Sequence, residues 1–155
     1  MRVVVLGTRG FPDIQGGVEK HCEQLYPRLA KLGCEVIVLA RAPYAGDKEY
    51  SWQGVTIKPI ACPKHKFLEA FMHTRAGVRE ARKLKPDILH FHAVGPSLFV
   101  PAAKRLGMKV VMTHHGPDYK RAKWNVLARA VLRKGEARGC RSADAVICIS
   151  DEIAQ

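Results

Sequence analysis

The chain has 155 residues, of which 47% are hydrophobic and 7% aromatic, and it carries a formal net charge of +12. This composition is that of one soluble globular domain, and it excludes a disordered chain. No apolar run approaches the roughly 18 residues that a transmembrane helix needs, and no signal-peptide core follows Met1, so we expect a cytoplasmic protein. Five scattered cysteines without a C-x-x-C pair indicate free thiols rather than disulfides or a zinc ribbon.

The positive charge is concentrated in two segments. Residues 64–85 contain seven Lys or Arg against two acids, and residues 119–141 contain eight against one. The remaining 110 residues hold eleven charges of each sign, so the whole excess lies in these two segments. Such local patches indicate a polyanionic partner or an anionic membrane surface.

Short β-branched runs alternate along the chain with longer helical patterns. The continuous apolar runs VVVL and VIVL predict strands covered on both faces, and the alternation with helices predicts a parallel sheet. Right-handed crossovers then give an α/β, Rossmann-like doubly wound fold that binds ligands at the carboxyl ends of its strands. The predicted strands are 2–7, 35–40, 54–60, 87–92, 109–114 and 143–149, and the predicted helices are 17–32, 66–85, 97–106 and 119–139.

Two local signals bear on the helices. Pro27 lies inside the first predicted helix, where it removes a hydrogen-bond donor, so we expect it to kink or split that helix. Ser150 followed by two acids is typical of a helix start, yet the sequence ends at Gln155. We therefore expect residues 1–150 to form one Rossmann-like domain and residues 151–155 to begin a helix of a longer, truncated protein.

A pair of glycines follows the first strand, in the segment GTRGFPDIQGGVE. Gly16 and Gly17 at the start of a helix would let backbone N–H groups approach a phosphate, and a tight loop without a ligand is the alternative. The spacing is not G-x-G-x-x-G, and Arg41 ends the second strand where an NAD site would have an acid. These features disfavour NAD, and they leave NADP binding through Arg41 as a lesser alternative.

Four histidines lie at the ends of two predicted strands, as His90 and His92 in the fourth and His114 and His115 at the fifth. Parallel strands bring these ends to one edge that faces the glycine loop, where an imidazole can bind a substrate hydroxyl or move a proton. We expect one histidine of each pair to point away. For any single histidine a structural role is the alternative. A zinc site would need three or four ligands and a signature such as H-E-x-x-H, which the sequence lacks.

Three stretches together resemble a known protein family. They are VVVLGTRGFPDIQGGVEKHCEQLYPRLAKLGCEVIVLAR, PDILHFHAVGPSLFVPAAKRLGMKVVMTHHGPDY and ADAVICISDEIA. They are similar to the N-terminal half of a retaining GT-B glycosyltransferase of family 4, the "group 1" class that includes rhamnosyl- and mannosyltransferases of envelope polysaccharide synthesis. The resemblance covers essentially the whole chain, and GTRG followed by GG-x-E is its most specific part.

The resemblance implies roles for individual residues. His115 matches the histidine of the family's Thr-x-His-Gly motif, which contacts the donor sugar, and it is the candidate catalytic residue. His92 lies on the acceptor side, and Gly16 and Gly17 match the loop that approaches the donor diphosphate. The residues implied in donor or acceptor binding are Arg9, Gly16, Gly17, Glu19, His92, Gly116 and Ser150.

The resemblance also sets limits on the chemistry. It implies a nucleotide sugar as co-substrate, without a cofactor and without a metal, since no Asp-x-Asp cation motif occurs in the sequence. The family's second, donor-binding domain with its paired glutamates has no counterpart in these residues. Because the donor site of such enzymes lies between two domains, we expect residues 1–155 alone to be inactive.

The basic segment 119–141 predicts an amphipathic helix. Trp124, Leu127 and Val131 follow helical spacing between positive charges, which is the pattern of a helix that lies on anionic lipid. The alternative is an ordinary helix whose apolar stripe packs on the sheet. Nucleic acid is a disfavoured partner because aromatic residues are nearly absent among the charges. The residues that would face the membrane are Trp124, Arg129, Arg133 and Lys134.

The sequence thus predicts the acceptor-side domain of a retaining hexosyltransferase that moves a sugar from a nucleotide sugar to a lipid-linked or saccharide acceptor. Its expected location is the cytoplasm, with peripheral attachment to the inner face of the cell membrane through the basic segments. Two other classes stay open at this point. One is an NADP-binding oxidoreductase domain, and the other is a basic module that only binds membrane or nucleic acid.

Overall fold

The computed structural model describes residues 1–65 and 68–155 of the chain. The strands in these ranges are β1 (Arg2–Leu6), β2 (Glu35–Arg41), β3 (Tyr50–Trp52), β4 (Val55–Ile60), β5 (Ile88–His92), β6 (Val110–His114) and β7 (Ala145–Cys148). They form one sheet in the order β3-β4-β2-β1-β5-β6-β7. Neighbouring strands are parallel, except for the antiparallel pair β3 and β4. The prediction of an α/β fold with a parallel sheet is confirmed.

Helices follow most strands and cover both faces of the sheet. They are α1 (Gly17–Lys31), α2 (Ala42–Ala45), α3 (Glu69–Leu84), α4 (Val100–Arg105), α5 (Val126–Ser142) and α6 (Asp151–Ala154), with 3₁₀ turns at Pro96–Phe99 and Asp118–Lys120. None of the helices in the described part of the chain has the length and apolar character needed to cross a bilayer. The first two residues of the predicted helix 66–85, Lys66 among them, lie outside the described residues.

The central strand β1 is buried on both faces, which explains its unbroken apolar sequence. Val3 and Val5 belong to a core cluster with Tyr26 of α1, whereas Val4 and Leu6 belong to a second cluster that includes residues of α3. The side chains of a strand alternate between its faces, so a strand between two helical layers needs apolar residues at every position.

The edge strand β3 was not expected from the sequence. Gln53 and Gly54 form a two-residue turn with φ angles of 47° and 80°, which joins β3 to β4 as a hairpin. Two consecutive positive φ angles are typical of the tight turns that connect antiparallel strands. The prediction that a strand starts at Gly54 was therefore wrong by one residue, because this glycine belongs to the turn.

Helix α5 begins at Val126 instead of residue 119. Asn125 caps it, since its side-chain Oδ1 accepts a hydrogen bond of 2.8 Å from the Ala128 backbone N–H. Residues before the cap form a 3₁₀ turn at Asp118–Lys120. Asparagine is among the best N-cap residues, and its oxygen satisfies a donor that the helix start leaves without a partner. The predicted helix boundary at residue 119 was wrong because this cap was not recognised.

Pro27 does not split α1, which continues as one helix from Gly17 to Lys31. Pro27 is buried, as are Cys22 and Tyr26 of the same helix. A proline inside a helix costs one backbone hydrogen bond, and burial of apolar side chains of α1 compensates for the loss. The expected split near this residue was wrong.

Two glycines let α5 lie directly on the segment that follows β5. A Cβ atom added at Gly139 would lie 2.6 Å from Ser97 Cβ, and one added at Gly135 would lie 3.1 Å from the Val94 carbonyl oxygen. Both glycines are buried. Any larger residue at these positions would push the helix away from the turn beneath it.

Candidate functional site

The carboxyl end of β1 is pressed against the backbone of β5. Gly7 has a φ of 104°, and a Cβ atom at this position would lie 2.2 Å from the His92 carbonyl oxygen. Only glycine combines this backbone conformation with such a close approach. Gly7 thereby fixes the start of the glycine loop beside the histidines at the end of β5.

Glu19 holds the loop between β1 and α1 in place. Its buried carboxylate accepts hydrogen bonds from the Arg9 backbone N–H at 2.9 Å and from the Thr8 hydroxyl at 3.5 Å. The Arg9 guanidinium lies 5.2 Å from the centre of the Tyr44 ring. Glu19 is thus a positioning residue for the loop, while the Arg9 side chain lies at its surface.

Gly16 and Gly17 differ in what their Cβ positions would meet. Gly16 has a φ of 144°, and a Cβ atom there would lie 2.0 Å from Glu19 Oε2. Gly17, the first residue of α1, has no neighbouring atom within 4 Å of its Cβ position. Both glycines line an open cleft together with Asp13, Ile14, Gln15, Lys20 and Glu23. The start of α1 is therefore accessible from outside.

Three imidazoles meet at the carboxyl edge of the sheet. His92 ends β5, His115 follows β6, and His21 lies one helical turn after Gly17 on α1. His92 Nδ1 and His115 Nε2 are 2.9 Å apart, and the rings of His21 and His115 have centroids 4.9 Å apart. One nitrogen of each ring lies within 4.8 Å of the others. We call these three residues the histidine edge.

A chain of buried hydrogen bonds continues from the histidine edge into the core. The Tyr26 hydroxyl contacts His92 Nε2 at 2.5 Å and His90 Nδ1 at 2.7 Å, and His90 Nε2 contacts the Thr113 hydroxyl at 2.7 Å. His90 and His92 therefore lie on the same side of β5, because residues two apart share a strand face. The expectation that one of them points away was wrong.

Burial keeps these histidines neutral. It lowers the pKa of His90 and of His115 to about 4, with the neighbouring His21 as a further cause for both. Burial also lowers the pKa of His92 well below its ordinary value, and it lowers that of His21. Burial raises the pKa of the Tyr26 hydroxyl, so this series of hydrogen-bonded side chains is uncharged at neutral pH.

The remaining histidine of the second pair does point away, as expected. His114 Nε2 lies 2.6 Å from Glu136 Oε1 of α5, and His114 Nδ1 accepts a hydrogen bond from the Gly116 backbone N–H at 3.0 Å. Gly116 thus supports the loop that carries His115.

Ser150 is exposed at the end of β7 and precedes α6 as its N-cap residue, without a side-chain capping bond.

Arg41 is already engaged within the protein. Its guanidinium is buried and donates a hydrogen bond of 2.9 Å to Glu69 Oε1, and the Tyr44 hydroxyl donates to the same carboxylate at 3.1 Å. A guanidinium paired in this way is not presented to the 2′-phosphate of a dinucleotide. This geometry disfavours the NADP alternative.

The apolar stripe of α5 faces outward rather than toward the sheet. Leu127 is 75% exposed and Val131 is 45% exposed, while Gly135 and Gly139 farther along the helix are buried. Trp124 lies before the helix, so the prediction that it belongs to the helical stripe was wrong, and its Nε1 donates to Asp118 at 3.2 Å. Five residues of α5 are exposed and are spread around its solvent side, and we call them together the outer face of α5: Leu127, Arg129, Val131, Arg133 and Lys134.

Solved structures with the same architecture define the class of fold. The chain is similar to a sucrose-phosphate synthase from Thermosynechococcus elongatus, with a TM-score of 0.71 and 18% identity over 94% of this chain and 41% of that one. A second structure of that synthase gives a TM-score of 0.62 and 15% identity over 98% and 78%. A UDP-GlcNAc 2-epimerase from Methanocaldococcus jannaschii gives 0.52 and 12% over 99% and 40%. The Rossmann-like fold of the GT-B class is confirmed.

The sequence match is more specific than the fold. The family model for Glycosyltransferase Family 4 matches residues 15–155. The chain therefore belongs to glycosyltransferase family 4, and the prediction of a glycosyltransferase domain is confirmed. A comparison with curated protein sequences found no match. The chain spans 41% of the first sucrose-phosphate synthase structure.

Two residues of the site were not identified from the sequence. His21 and Tyr26 belong to α1, and neither stands in a strand-end motif. Gly17 and His21 are four residues apart, so helical periodicity places them on one face, and this signal would have pointed His21 toward the edge. Tyr26 is recognisable only when α1 is packed on the sheet.

Proposed function

We propose that this chain is the acceptor-side domain of a retaining glycosyltransferase, which moves a hexose or deoxyhexose from a nucleotide sugar to a lipid-linked or saccharide acceptor. The observation that carries the proposal is the position of His115, which lies beside His21, one helical turn from the open glycine start of α1. A group at this edge can touch a sugar whose diphosphate is bound at the helix start.

The first turn of α1 is the proposed contact with the donor diphosphate. The first helical hydrogen bond of α1 runs from the Lys20 backbone N–H to the Gly16 carbonyl oxygen at 3.0 Å. The N–H groups of the residues before Lys20 therefore have no acceptor within the helix. Those groups and the helix dipole favour an anion. Gly17 leaves room for a phosphate oxygen to approach the backbone. This domain would thus support the leaving diphosphate from one side of the cleft.

His115 is the proposed catalytic residue. A neutral imidazole can donate one hydrogen bond and accept another, so it can orient a sugar hydroxyl without adding a charge. His92 fixes the ring of His115 from behind, through the 2.9 Å contact of their nitrogens. The pKa of about 4 keeps His115 in this form at neutral pH.

A second domain is part of the proposal. The nucleotide-sugar site of a two-domain transferase forms between its domains, and we propose that a donor-binding partner domain completes it. The chain by itself would then fold but not transfer sugar. No metal or other cofactor is needed for this transfer, because hydrogen bonds and a helix dipole stabilise the leaving group.

A membrane location is the second part of the proposal. The outer face of α5 combines exposed apolar side chains with three positive charges, and Arg133 lies 5.2 Å from the ring centre of Tyr119 beside it. Side chains of this kind adsorb to anionic lipid through apolar contact and charge together. We therefore propose that the domain lies in the cytoplasm, peripheral to the inner face of the cell membrane, where a lipid-linked acceptor would be reached.

The experiment is a transfer assay with the complete enzyme that carries this chain, on a panel of nucleotide sugars. The anomeric configuration of the product, read by nuclear magnetic resonance, tests retention. His115→Ala should lower kcat by about 100-fold with the fold intact, since this is the usual contribution of a positioned acid–base or hydrogen-bonding group. The matched control is His65→Ala, an exposed histidine outside the edge. Near-normal kcat in His115→Ala would return His115 to a structural role.

A further inference from the structure

The three imidazoles of the histidine edge are also the ligand set of a metal ion. His21, His92 and His115 each bring one ring nitrogen within 4.8 Å of the other two. They come from three separate elements, α1, β5 and the loop after β6, so no motif of regular spacing in the sequence indicates that they form one site. We propose that the histidine edge binds one divalent transition-metal ion of the zinc class.

The geometry requires only small ring movements. Zinc binds imidazole nitrogens at about 2.0–2.1 Å in tetrahedral sites, which sets two ligand nitrogens roughly 3.4 Å apart. His92 Nδ1 and His115 Nε2 are 2.9 Å apart and share a proton between them. An ion would replace that proton, and His115 would carry it on its other nitrogen instead. His21 and His115 are half-buried, so their rings have room to turn.

The buried residues behind the edge supply the outer shell that a metal-binding histidine needs. His92 Nε2 can donate to the Tyr26 hydroxyl, which then donates to His90 Nδ1, while His90 Nε2 donates to the Thr113 hydroxyl. In this arrangement every group has a partner, and the lone pair of His92 Nδ1 faces the edge. A hydrogen bond to the second ring nitrogen orients a metal-binding imidazole and raises its basicity.

The site would have three protein ligands and one open position. His92 forms its buried floor, and His21 and His115 form its accessible rim. Three histidines with a free fourth position bind zinc while leaving room for water or another ligand. The inference rests on the geometry of the three rings and not on the proposed sugar transfer. Because both proposals use His115, the ion and the nucleotide sugar would compete for that residue.

The test is a titration of the 155-residue chain with Co²⁺, which takes the place of zinc and absorbs visible light when its coordination is tetrahedral. We expect one Co²⁺ per chain, displaced by Zn²⁺. His21→Ala should weaken binding by about 100-fold or more, and Tyr26→Phe by about 10-fold, since loss of an outer-shell partner costs about 10- to 100-fold. His65→Ala, the matched control at an exposed histidine, should bind as the unaltered chain does.

Four results would overturn the proposal. They are an absence of tetrahedral Co²⁺ binding, equal affinity in His21→Ala and the unaltered chain, weakening by His65→Ala as large as that by His21→Ala, and a near-ultraviolet charge-transfer band that marks thiolate ligands. Circular dichroism shows whether His21→Ala is folded. If this variant is unfolded, His115→Gln takes its place in the test, because it removes a different ligand of the same site. Each result concerns binding by this chain alone, so it leaves the proposed sugar transfer unaffected.

Discussion

The histidine edge and the outer face of α5 use polar residues in opposite ways. Behind the half-buried His115, the polar side chains of His92, Tyr26, His90 and Thr113 are buried and bonded to one another. On the outer face of α5, the charged side chains are exposed, as is Leu127. A buried polar network is costly to disturb, whereas exposed charges contribute little to folding. Changes at the edge should therefore alter stability, and changes on α5 should alter binding.

The largest effect is expected at Gly7, which supports the edge. Gly7→Ala places a Cβ atom against the His92 carbonyl oxygen at a positive φ, so it should lower the free energy of unfolding by about 4 kcal/mol. Urea unfolding measures this change. Gly17→Ala is the matched control, because its Cβ meets open space, and it should change stability by less than about 0.5 kcal/mol. Equal stability of the two variants would contradict the close packing of β1 on β5.

The next effect concerns the outer face of α5 and is one of binding. The triple change Arg129→Glu, Arg133→Glu, Lys134→Glu should abolish sedimentation with vesicles that contain anionic lipid. Each Lys or Arg near such a surface contributes about 1 kcal/mol, so the loss is about 3 kcal/mol, or roughly 100-fold in affinity. Stability should stay within about 0.5 kcal/mol because all three side chains are exposed.

The control for this change keeps the total charge the same. The triple change Lys20→Glu, Arg28→Glu, Lys31→Glu alters three exposed residues of α1 and should leave vesicle binding largely intact. Binding of the unaltered chain should also fall as salt is raised, because the attraction is screened. Equal binding to neutral and anionic vesicles, or an equal loss in both triple variants, would remove the membrane role of α5.

A third effect separates two tyrosines, one in each region. Tyr26→Phe leaves His90 and His92 without the hydroxyl that joins them, so it should cost about 2 kcal/mol of unfolding free energy. Tyr119, beside α5, is bonded to Glu136 and is only partly buried. Tyr119→Phe should cost less than about 1 kcal/mol because water can replace the lost bond. Thermal unfolding of both variants makes the comparison, and a larger cost at Tyr119 would reverse it.

The smallest effect for each residue is a dependence of stability on pH that originates in the buried histidines at and behind the edge. Burial lowers the pKa of His90 to about 4 and that of His92 well below its ordinary value, so the folded state leaves them neutral. The unfolded chain takes up their protons below about pH 6.5, and it therefore binds more protons than the folded chain. Stability is fully present above pH 6.5 and is lost as the pH falls toward 4.

The loss should reach about 1 kcal/mol for each of these two histidines at pH 5.5. Burial also lowers the pKa of His73 to about 4, so this residue adds to the same loss of stability from the other side of the sheet. Urea unfolding at pH 7.5 and pH 5.5 measures the sum. A midpoint that does not change between these pH values would mean that the buried histidines take up protons in the folded state as readily as in the unfolded state.

The parts of the fold that the sequence predicts well are those with local signals. Continuous β-branched runs mark the central strands, and Gly33 and Gly107 follow the ends of α1 and α4 with positive φ angles. The histidine pairs were located at the correct edge because parallel strands end together. Strand β3 has only three residues, so its pairing depends on the neighbouring strand β4 more than on its own pattern.

The parts that escaped prediction depend on the direction in which a helix faces. Periodicity identifies an apolar stripe on α5, but it does not say whether the stripe meets the sheet or the solvent. Likewise, His21 reaches the edge only because α1 packs with Tyr26 inward. In both helices the direction comes from contacts between elements that are distant in sequence. A single sequence contains these contacts only implicitly.

The two glycines of α5 have a consequence for its opposite side. Gly135 and Gly139 are the residues on which the helix rests, and their neighbours in sequence point about 100° away on either side. A rotation of α5 by one residue would bring Lys134 or Glu136 against the backbone beneath Val94, where no side chain fits. The helix thus has one permitted orientation about its own axis. Because these two buried glycines have no side chains, α5 lies in this one orientation, and that orientation determines which of its residues are exposed to the surroundings.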